Sequence, residues 1–173
     1  MKFFTEEKRF ERTMRRLSMV GRLTYLFMCI ESYLLTRWPD RDWTPVAERC
    51  WQWTEVDWVT GWNIYSVVVP EYLLEFEGYE RTNRDGFDGA LPESDYRRLT
   101  VLYAGLTEGR EEDELNRLLM LPIAFGNICE GTDLSYASGE TMAVLQEMRR
   151  MLSRRGGILE RSEIKRRSLV ASL

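Results

Sequence analysis

Carboxylates and thiols are the side chains of this sequence that could do chemistry, because its 173 residues include no histidine. A serine or cysteine nucleophile near neutral pH ordinarily needs an imidazole base, and many zinc sites need an imidazole ligand. The three cysteines, Cys29, Cys50 and Cys129, are too few for a four-cysteine zinc site. The sequence therefore argues against most hydrolases and predicts no metal and no cofactor.

Asp and Glu alone could still build a glycosidase or a two-metal site. The best candidates are Glu31, inside an apolar stretch, and Glu130, at the end of another. A salt-bridged acid at the edge of a helix is the simpler interpretation of each. Without histidine, the Glu-x-x-His pairs of ferritin-like metal proteins cannot form. A carboxylate-based enzyme or ligand-binding helical bundle is therefore the least favoured alternative.

Glycine-containing segments do not complete a known ligand-binding loop. Gly86 and Gly89 are not followed by the Lys-Ser or Lys-Thr pair that a phosphate-binding P-loop needs. Residues 83–86 invite comparison with a calcium loop, but Arg81 and Pro92 stand where that loop requires acids. A turn is the better interpretation of this segment.

Charge is distributed unevenly along the chain. Residues 1–22 carry seven basic and three acidic side chains, and residues 149–173 carry eight basic and two acidic ones. The formal net charge is −4, which leaves −14 for residues 23–148. A surface of that sign repels nucleic acid and attracts basic proteins. A solvated acidic surface without any partner remains the alternative.

Aromatic side chains accompany this acidic region, since all six tryptophans lie within residues 38–62. Residues two apart on a helix diverge by about 200°, so Trp51 and Trp53 cannot both face the core. Exposed aromatic residues beside carboxylates are typical of binding hot spots, although core packing is the alternative for each tryptophan. We predict a partner-binding surface formed by Glu55, Asp57, Trp58, Asp85, Asp88, Glu111, Glu112 and Asp113. Residues 111–114 could instead stabilise a helix N-terminus through its dipole.

The apolar residues of the sequence recur at helical spacing, and the helices that this spacing predicts would position the carboxylates and tryptophans. The spacing predicts an all-α, single-domain bundle of about six to seven helices, with a small helical solenoid as the alternative. For residues 62–69 we favour helix, but their β-branched side chains leave a strand open. The segment 78–92 is rich in turn-forming residues and is predicted to be irregular. In the N-terminal part, the spacing predicts a helix over residues 6–19 with Thr5 as its cap, a central helix over 22–36 and a helix over 45–54. In the C-terminal part, it predicts a helix capped by Ser94-Asp95, a helix that begins at Glu111 and is bent or interrupted at Pro122, and a last helix from Ser138.

Domain limits and location follow from composition. We predict a helical domain over residues 1–155 and a partly ordered basic tail over 156–173. The near-apolar stretch 23–30 is far shorter than the roughly 18–20 residues of a membrane span, and the N-terminus lacks a signal-peptide core. The cysteines are expected to be buried free thiols in a reducing compartment, so a cytoplasmic protein is predicted.

The helical layout, the acidic residues 23–148 and the segment Ala47–Glu55 (AERCWQWTE) resemble the all-helical immunity proteins of bacterial polymorphic-toxin and contact-dependent growth-inhibition systems. The resemblance extends over most of the chain before the basic tail, which it does not match. It implies a non-enzymatic protein that binds and neutralises a cognate toxin domain, often a basic nuclease, in the cytoplasm. A helical adaptor that binds a cellular protein through the tryptophan-rich segment is the main alternative, and the oligomeric state stays open.

Overall fold

The computed structural model describes the backbone of residues 2–130 and 134–154 and the side chains of residues 7–130 and 139–153. Within these ranges all regular secondary structure is helical, which confirms the predicted all-α fold. The helices are α1 (Lys2–Met14), α2 (Met19–Arg37), α3 (Thr44–Trp53), α4 (Trp58–Ser66), α5 (Pro70–Leu73), α6 (Tyr79–Arg81), a π-helical turn (Thr82–Gly86), α7 (Glu93–Tyr103), α8 (Glu114–Cys129) and α9 (Leu134–Arg154).

More helices are present in the described ranges than the six to seven that were predicted. The difference arises between residues 67 and 92, where the chain forms the short α5, α6 and the π-helical turn. The helix favoured for residues 62–69 is confirmed as far as Ser66, and the next three residues form a connection to α5 that lacks strand pairing. Pro70 begins α5 because a proline is well suited to the first turn of a helix.

Several predicted helix boundaries are wrong. The first helix already includes Thr5, so this residue cannot cap it, and the helix ends at Met14. Ser18 has an extended backbone and accepts a hydrogen bond from the Gly21 amide at 3.1 Å, so it caps α2 and ends the first helical stretch. Helix α8 begins at Glu114 rather than Glu111, and α9 begins before Ser138.

Helix α2 lies at the centre of the bundle, as its apolar residues predicted. It contacts α3, α8 and α9, and α8 packs against α9. Leu26 and Ile30 on α2 have no exposed surface. In a solenoid each repeat contacts only its sequence neighbours, whereas α2 packs against helices from the far end of the chain. The fold is therefore a closed bundle, and the solenoid alternative is wrong.

The indole of Trp53, on α3, fills the space between α4 and α8. It is 2% exposed, and its ring centroid is 6.0 Å from that of Phe27 on α2. A Cβ atom added at Gly61 on α4 would lie 1.7 Å from Trp53 Cδ1, and one at Gly126 on α8 would lie 2.9 Å from Trp53 Cζ2. Glycine at both positions lets the two helices approach the indole closely.

A buried arginine joins the N-terminal and C-terminal helices to α2. Arg22 is 2% exposed; its Nε donates to the Met14 carbonyl and its Nη1 to Thr141 Oγ1, each at 2.9 Å. Burial lowers the pKa of its guanidinium, and nearby Arg15 acts in the same direction. These bonds offset part of the desolvation cost of the charge and tie α1 and α9 to the same point on α2.

Pro122 does not interrupt α8, which continues to Cys129. Proline has no N–H to donate to the preceding turn, which weakens the helix locally. The Tyr65 hydroxyl donates to the Leu119 carbonyl in that turn, at 2.9 Å. The contact fixes α4 against α8 in the turn that precedes Pro122.

The thiols largely agree with prediction. Cys29 and Cys50 are buried, Cys129 is half-buried, and none of the three forms a disulfide. Burial raises the pKa of Cys29 and of Cys129 to about 11. In the described ranges no helix is both long enough and apolar enough to cross a bilayer. The predicted domain limit at residue 155 and the basic tail lie outside the described residues.

We expect Gly61→Ala to destabilise the protein by about 3 kcal/mol, because its Cβ would overlap the Trp53 indole and force α3 and α4 apart. Chemical denaturation monitored by circular dichroism measures this loss. Gly139→Ala is the control, since Gly139 lies in α9 with open space around it, and it should gain about 0.5–1 kcal/mol from helix propensity. Equal effects of the two substitutions would contradict the proposed role of Gly61.

Candidate functional site

A groove of about 740 Å³ opens on the side of the bundle formed by α3, α4, α5 and the segment 86–92. We call it the Trp62 groove. Its volume lies within the range of ligand-binding clefts, roughly 300–1,000 Å³. The lining residues that could recognise a partner are aromatic or charged: Arg49, Trp62, Tyr72, Glu75, Phe87 and Asp88.

Helix α4 forms one wall of the groove and begins at Asp57. The Asp57 carboxylate accepts hydrogen bonds from the amides of Val59 and Thr60, at 3.1 and 3.0 Å, and from Thr60 Oγ1 at 2.7 Å. The bonds from Thr60 are the main reason that the pKa of Asp57 lies below its ordinary value. Asp57 is thus the N-cap that starts the helix carrying Trp62.

Trp58 and Trp62 lie one turn apart on α4 and both contact α8. Trp58 stacks against Phe125, with ring centroids 6.2 Å apart. Trp62 is half-buried, and its Nε1 donates to Asn127 Oδ1 at 3.0 Å. Both tryptophans therefore pack against the core, and Trp62 is in addition anchored by its N–H and lines the groove.

Tyr72 is held beside Trp62 by the attachment of α5 to α8. Asn116 has no exposed surface; its Oδ1 accepts from the Glu71 amide at 2.9 Å and its Nδ2 donates to Glu71 Oε2 at 3.1 Å. The Trp62 and Tyr72 ring centroids lie 6.1 Å apart, with the planes tilted by 40°. Two aromatic rings from different helices thus line the groove side by side.

The Asn83 side chain orders the segment that carries Phe87 and Asp88. Asn83 Oδ1 accepts a hydrogen bond from the Leu91 amide at 2.9 Å, and Asn83 Nδ2 donates one to the Tyr79 hydroxyl at 3.2 Å. Asp88 adopts a left-handed backbone with φ of 49°, which Asp tolerates better than most residues. The segment 78–92 was predicted to be irregular, but its residues 79–86 form α6 and the π-helical turn, and residues 87–92 are a defined loop that borders the groove.

Two carboxylates of the groove are available to a partner. Glu75 and Asp88 are exposed and make no ion pair with any residue in the described part of the chain. The single guanidinium of the lining, Arg49, is bound to Asp95 and is 3.3 Å from Gln52 Oε1. The groove therefore combines aromatic surface with uncompensated negative charge.

The predicted surface residues lie in three separate segments of the chain, 55–58, 85–88 and 111–113, and only some of their carboxylates are available. Glu55 is exposed between α3 and α4 and makes no ion pair within the described ranges. Asp85 pairs with Arg84 at 2.7 Å and with Arg81 at 3.6 Å, and these guanidinium groups lower its pKa. Of the predicted residues, Asp88 alone lines the Trp62 groove.

Residues 111–113 precede α8 rather than forming its first turn. The Asp113 carboxylate faces back into the loop, where it accepts from Thr107 Oγ1 and the Glu108 amide at 2.8 Å and from the Arg110 amide at 3.2 Å. The bond from the Glu108 amide is the largest cause of its lowered pKa. Glu112 lies 3.6 Å from Arg110. Glu111 is exposed and lines a smaller cleft of about 290 Å³ with Glu71 and Glu147.

Glu31 and Glu130, the candidates for carboxylate chemistry, are in different environments. Glu31 is 5% exposed beside Cys50 and Trp43, whereas Glu130 is exposed at the end of α8. They do not converge on one buried site. Within residues 7–130 and 139–153 no three acidic or cysteine side chains are grouped to hold a metal ion.

Sequence reasoning missed most of the Trp62 groove. It selected Trp58, which packs against Phe125, and did not assign Trp62, Tyr72, Glu75 or Phe87 to a surface. The one available signal was Phe87, a large apolar residue among turn-forming residues, which is typical of a side chain that packs onto another element. The pairing of Tyr72 with Trp62 depends on the position of α5, which the sequence did not predict.

Comparison of the chain with known protein families, curated proteins and solved structures finds no match.

We expect Asp113→Ala to lower the thermal midpoint at pH 7, because the loop before α8 loses three hydrogen bonds to one carboxylate oxygen. The folded-state pKa of Asp113 is depressed, so its contribution is fully present above the unfolded value near 3.9 and is lost as pH falls through the folded value. The difference in thermal midpoint between the wild type and the Asp113→Ala variant should therefore shrink below about pH 4. Glu112→Ala, which removes an exposed neighbour, should change the midpoint little. A difference that is constant with pH would refute the carboxylate's role.

Proposed function

We propose that this chain is an immunity protein that binds a basic toxin domain in the cytoplasm and neutralises it by occupying its working surface. It acts by stoichiometric binding and not as an enzyme. The observation that carries the proposal is the Trp62 groove, where aromatic rings from α4 and α5 lie beside two carboxylates that no cation of the described residues neutralises.

The wider surface supports the same kind of partner. Most arginines between residues 23 and 148 form ion pairs within the protein, for example Arg37 with Glu114, Arg97 with Glu93 and Arg117 with Glu147. Several exposed acids make no ion pair within the described ranges: Glu55, Glu75, Glu77, Glu80, Asp88 and Glu111. Unpaired surface carboxylates accelerate association with a basic partner and favour it over an acidic one.

A nuclease is the toxin class that this surface fits best. A nuclease cleft carries Lys and Arg side chains that bind phosphates. Carboxylates presented by the immunity protein would take the place of those phosphates and block the cleft or an adjacent site. The aromatic rings of the groove would supply the apolar contact that ion pairs alone lack.

A helical adaptor is the second candidate, and the same groove supports it. Aromatic anchors beside carboxylates would bind a basic segment of any cellular protein. The two functions differ in where the partner is encoded and in whether binding abolishes a toxic activity.

The deciding experiment is co-purification with the product of the adjacent gene, followed by calorimetry at low and high ionic strength. We expect a stoichiometric complex that weakens with salt and loss of the partner's toxicity. Tight binding of a chromosomally distant protein, with no toxic neighbour, would instead support the adaptor.

Charge reversal then maps the surface. We expect Glu55→Lys, Asp88→Lys and Glu111→Lys together to weaken the complex by at least about tenfold, because each replaces an attractive charge with a repulsive one. Glu140→Lys is a control at a single exposed position on α9, outside the predicted surface. If single reversals at Asp88 and Glu140 weaken binding equally, net charge rather than a defined surface governs the complex.

A further inference from the structure

We propose that the Trp62 groove is the binding site for an arginine side chain of the partner, with the guanidinium lying over the Trp62 indole and paired with Glu75 and Asp88. The inference rests on the proposed function, since it specifies how a basic protein would be recognised. The arginine site is tested with short peptides instead of the toxin, so it can be refuted independently of the proposed function.

The aromatic part of the site suits a guanidinium. Elsewhere the protein places its own arginines over aromatic rings: Arg149 lies 4.3 Å from the Phe10 centroid, Arg37 5.1 Å from Trp38 and Arg81 5.4 Å from Phe76. These distances fall within the roughly 6 Å over which such contacts are attractive, and tryptophan is the strongest partner. No cation from the described part of the chain lies over Trp62.

The carboxylates add a second requirement that a guanidinium meets. Glu75 and Asp88 come from different segments that border one groove. A guanidinium has five N–H donors in a planar fork, so it can stack on an indole and bond to carboxylates at its edge simultaneously. A lysine ammonium is a compact, strongly hydrated charge that cannot stack in this way.

Arg49 does not compensate the carboxylates of the groove. It borders the groove from α3, but its guanidinium is paired with Asp95 and lies 3.3 Å from Gln52 Oε1. The charges of the lining that have no ion pair within the described residues are therefore those of Glu75 and Asp88, and an incoming guanidinium can pair with them.

The test uses the full chain and two short blocked peptides, one alternating arginine with glycine and the other lysine with glycine. Binding is followed by NMR through the Trp62 indole N–H, which is identified by its loss in Trp62→Phe. We expect the arginine peptide to shift this signal and to bind at least about fivefold more tightly than the lysine peptide.

Variants of the carboxylates identify the site without disturbing the core. Glu75→Gln and Asp88→Asn together should weaken the arginine peptide by about tenfold, the result expected when two attractive charges are removed. Asparagine tolerates the left-handed backbone at position 88, so the loop is retained. Glu77→Gln is the matched control, because Glu77 is an exposed acid two residues from Glu75 that does not line the groove.

Three outcomes would overturn the inference: no shift of the Trp62 signal, equal affinity for both peptides, or equal weakening by the control variant. The proposed function fails separately. If the neighbouring gene product binds tightly and the Glu75→Gln, Asp88→Asn variant leaves that complex unchanged, the immunity function stands and the arginine site is wrong. If the peptide binds as expected but no toxic partner exists, the arginine site stands and the immunity function is wrong.

Discussion

The position of Trp53 between two glycines is the constraint on which both the core and the groove depend. Gly61 lets α4 approach the pyrrole end of the indole and Gly126 lets α8 approach its benzene end, while the Phe27 ring of α2 packs against it. A Cβ at Gly126 would also lie 3.2 Å from Trp62 Cδ1. The same glycine thus accommodates both a core tryptophan and the tryptophan of the groove.

Acidic residues serve two distinct purposes in this molecule. Asp57 and Asp113 have depressed pKa values because backbone amides and hydroxyls bind their carboxylates, and each fixes the loop that leads into a helix. Glu75 and Asp88 make no ion pair within the described ranges and face an open groove. Net charge in the sequence does not distinguish these roles, since only the hydrogen-bonding geometry separates a structural carboxylate from an available one.

The parts of the fold that were predictable are those governed by long apolar periodicity. The residues of α2 are apolar around most of its circumference, which predicts a central helix, and the structure confirms this. The first helix was placed wrongly because its end is set by the Ser18 cap of the next helix. The groove was missed because Tyr72 and Trp62 meet only once Asn116 fixes α5 against α8. Such contacts between distant residues leave no periodic signal.

The buried thiols have a consequence for how any complex responds to pH. The chain has no histidine, and burial moves the pKa of Cys29 upward to about 11 and that of Cys50 well above its ordinary value. No side chain whose ordinary pKa lies between about 5.5 and 7.5 is therefore present. The chain therefore has no imidazole to gain a proton in that interval, and the Cys29 and Cys50 thiols stay protonated throughout it, so neither kind of group would change the affinity of a complex there.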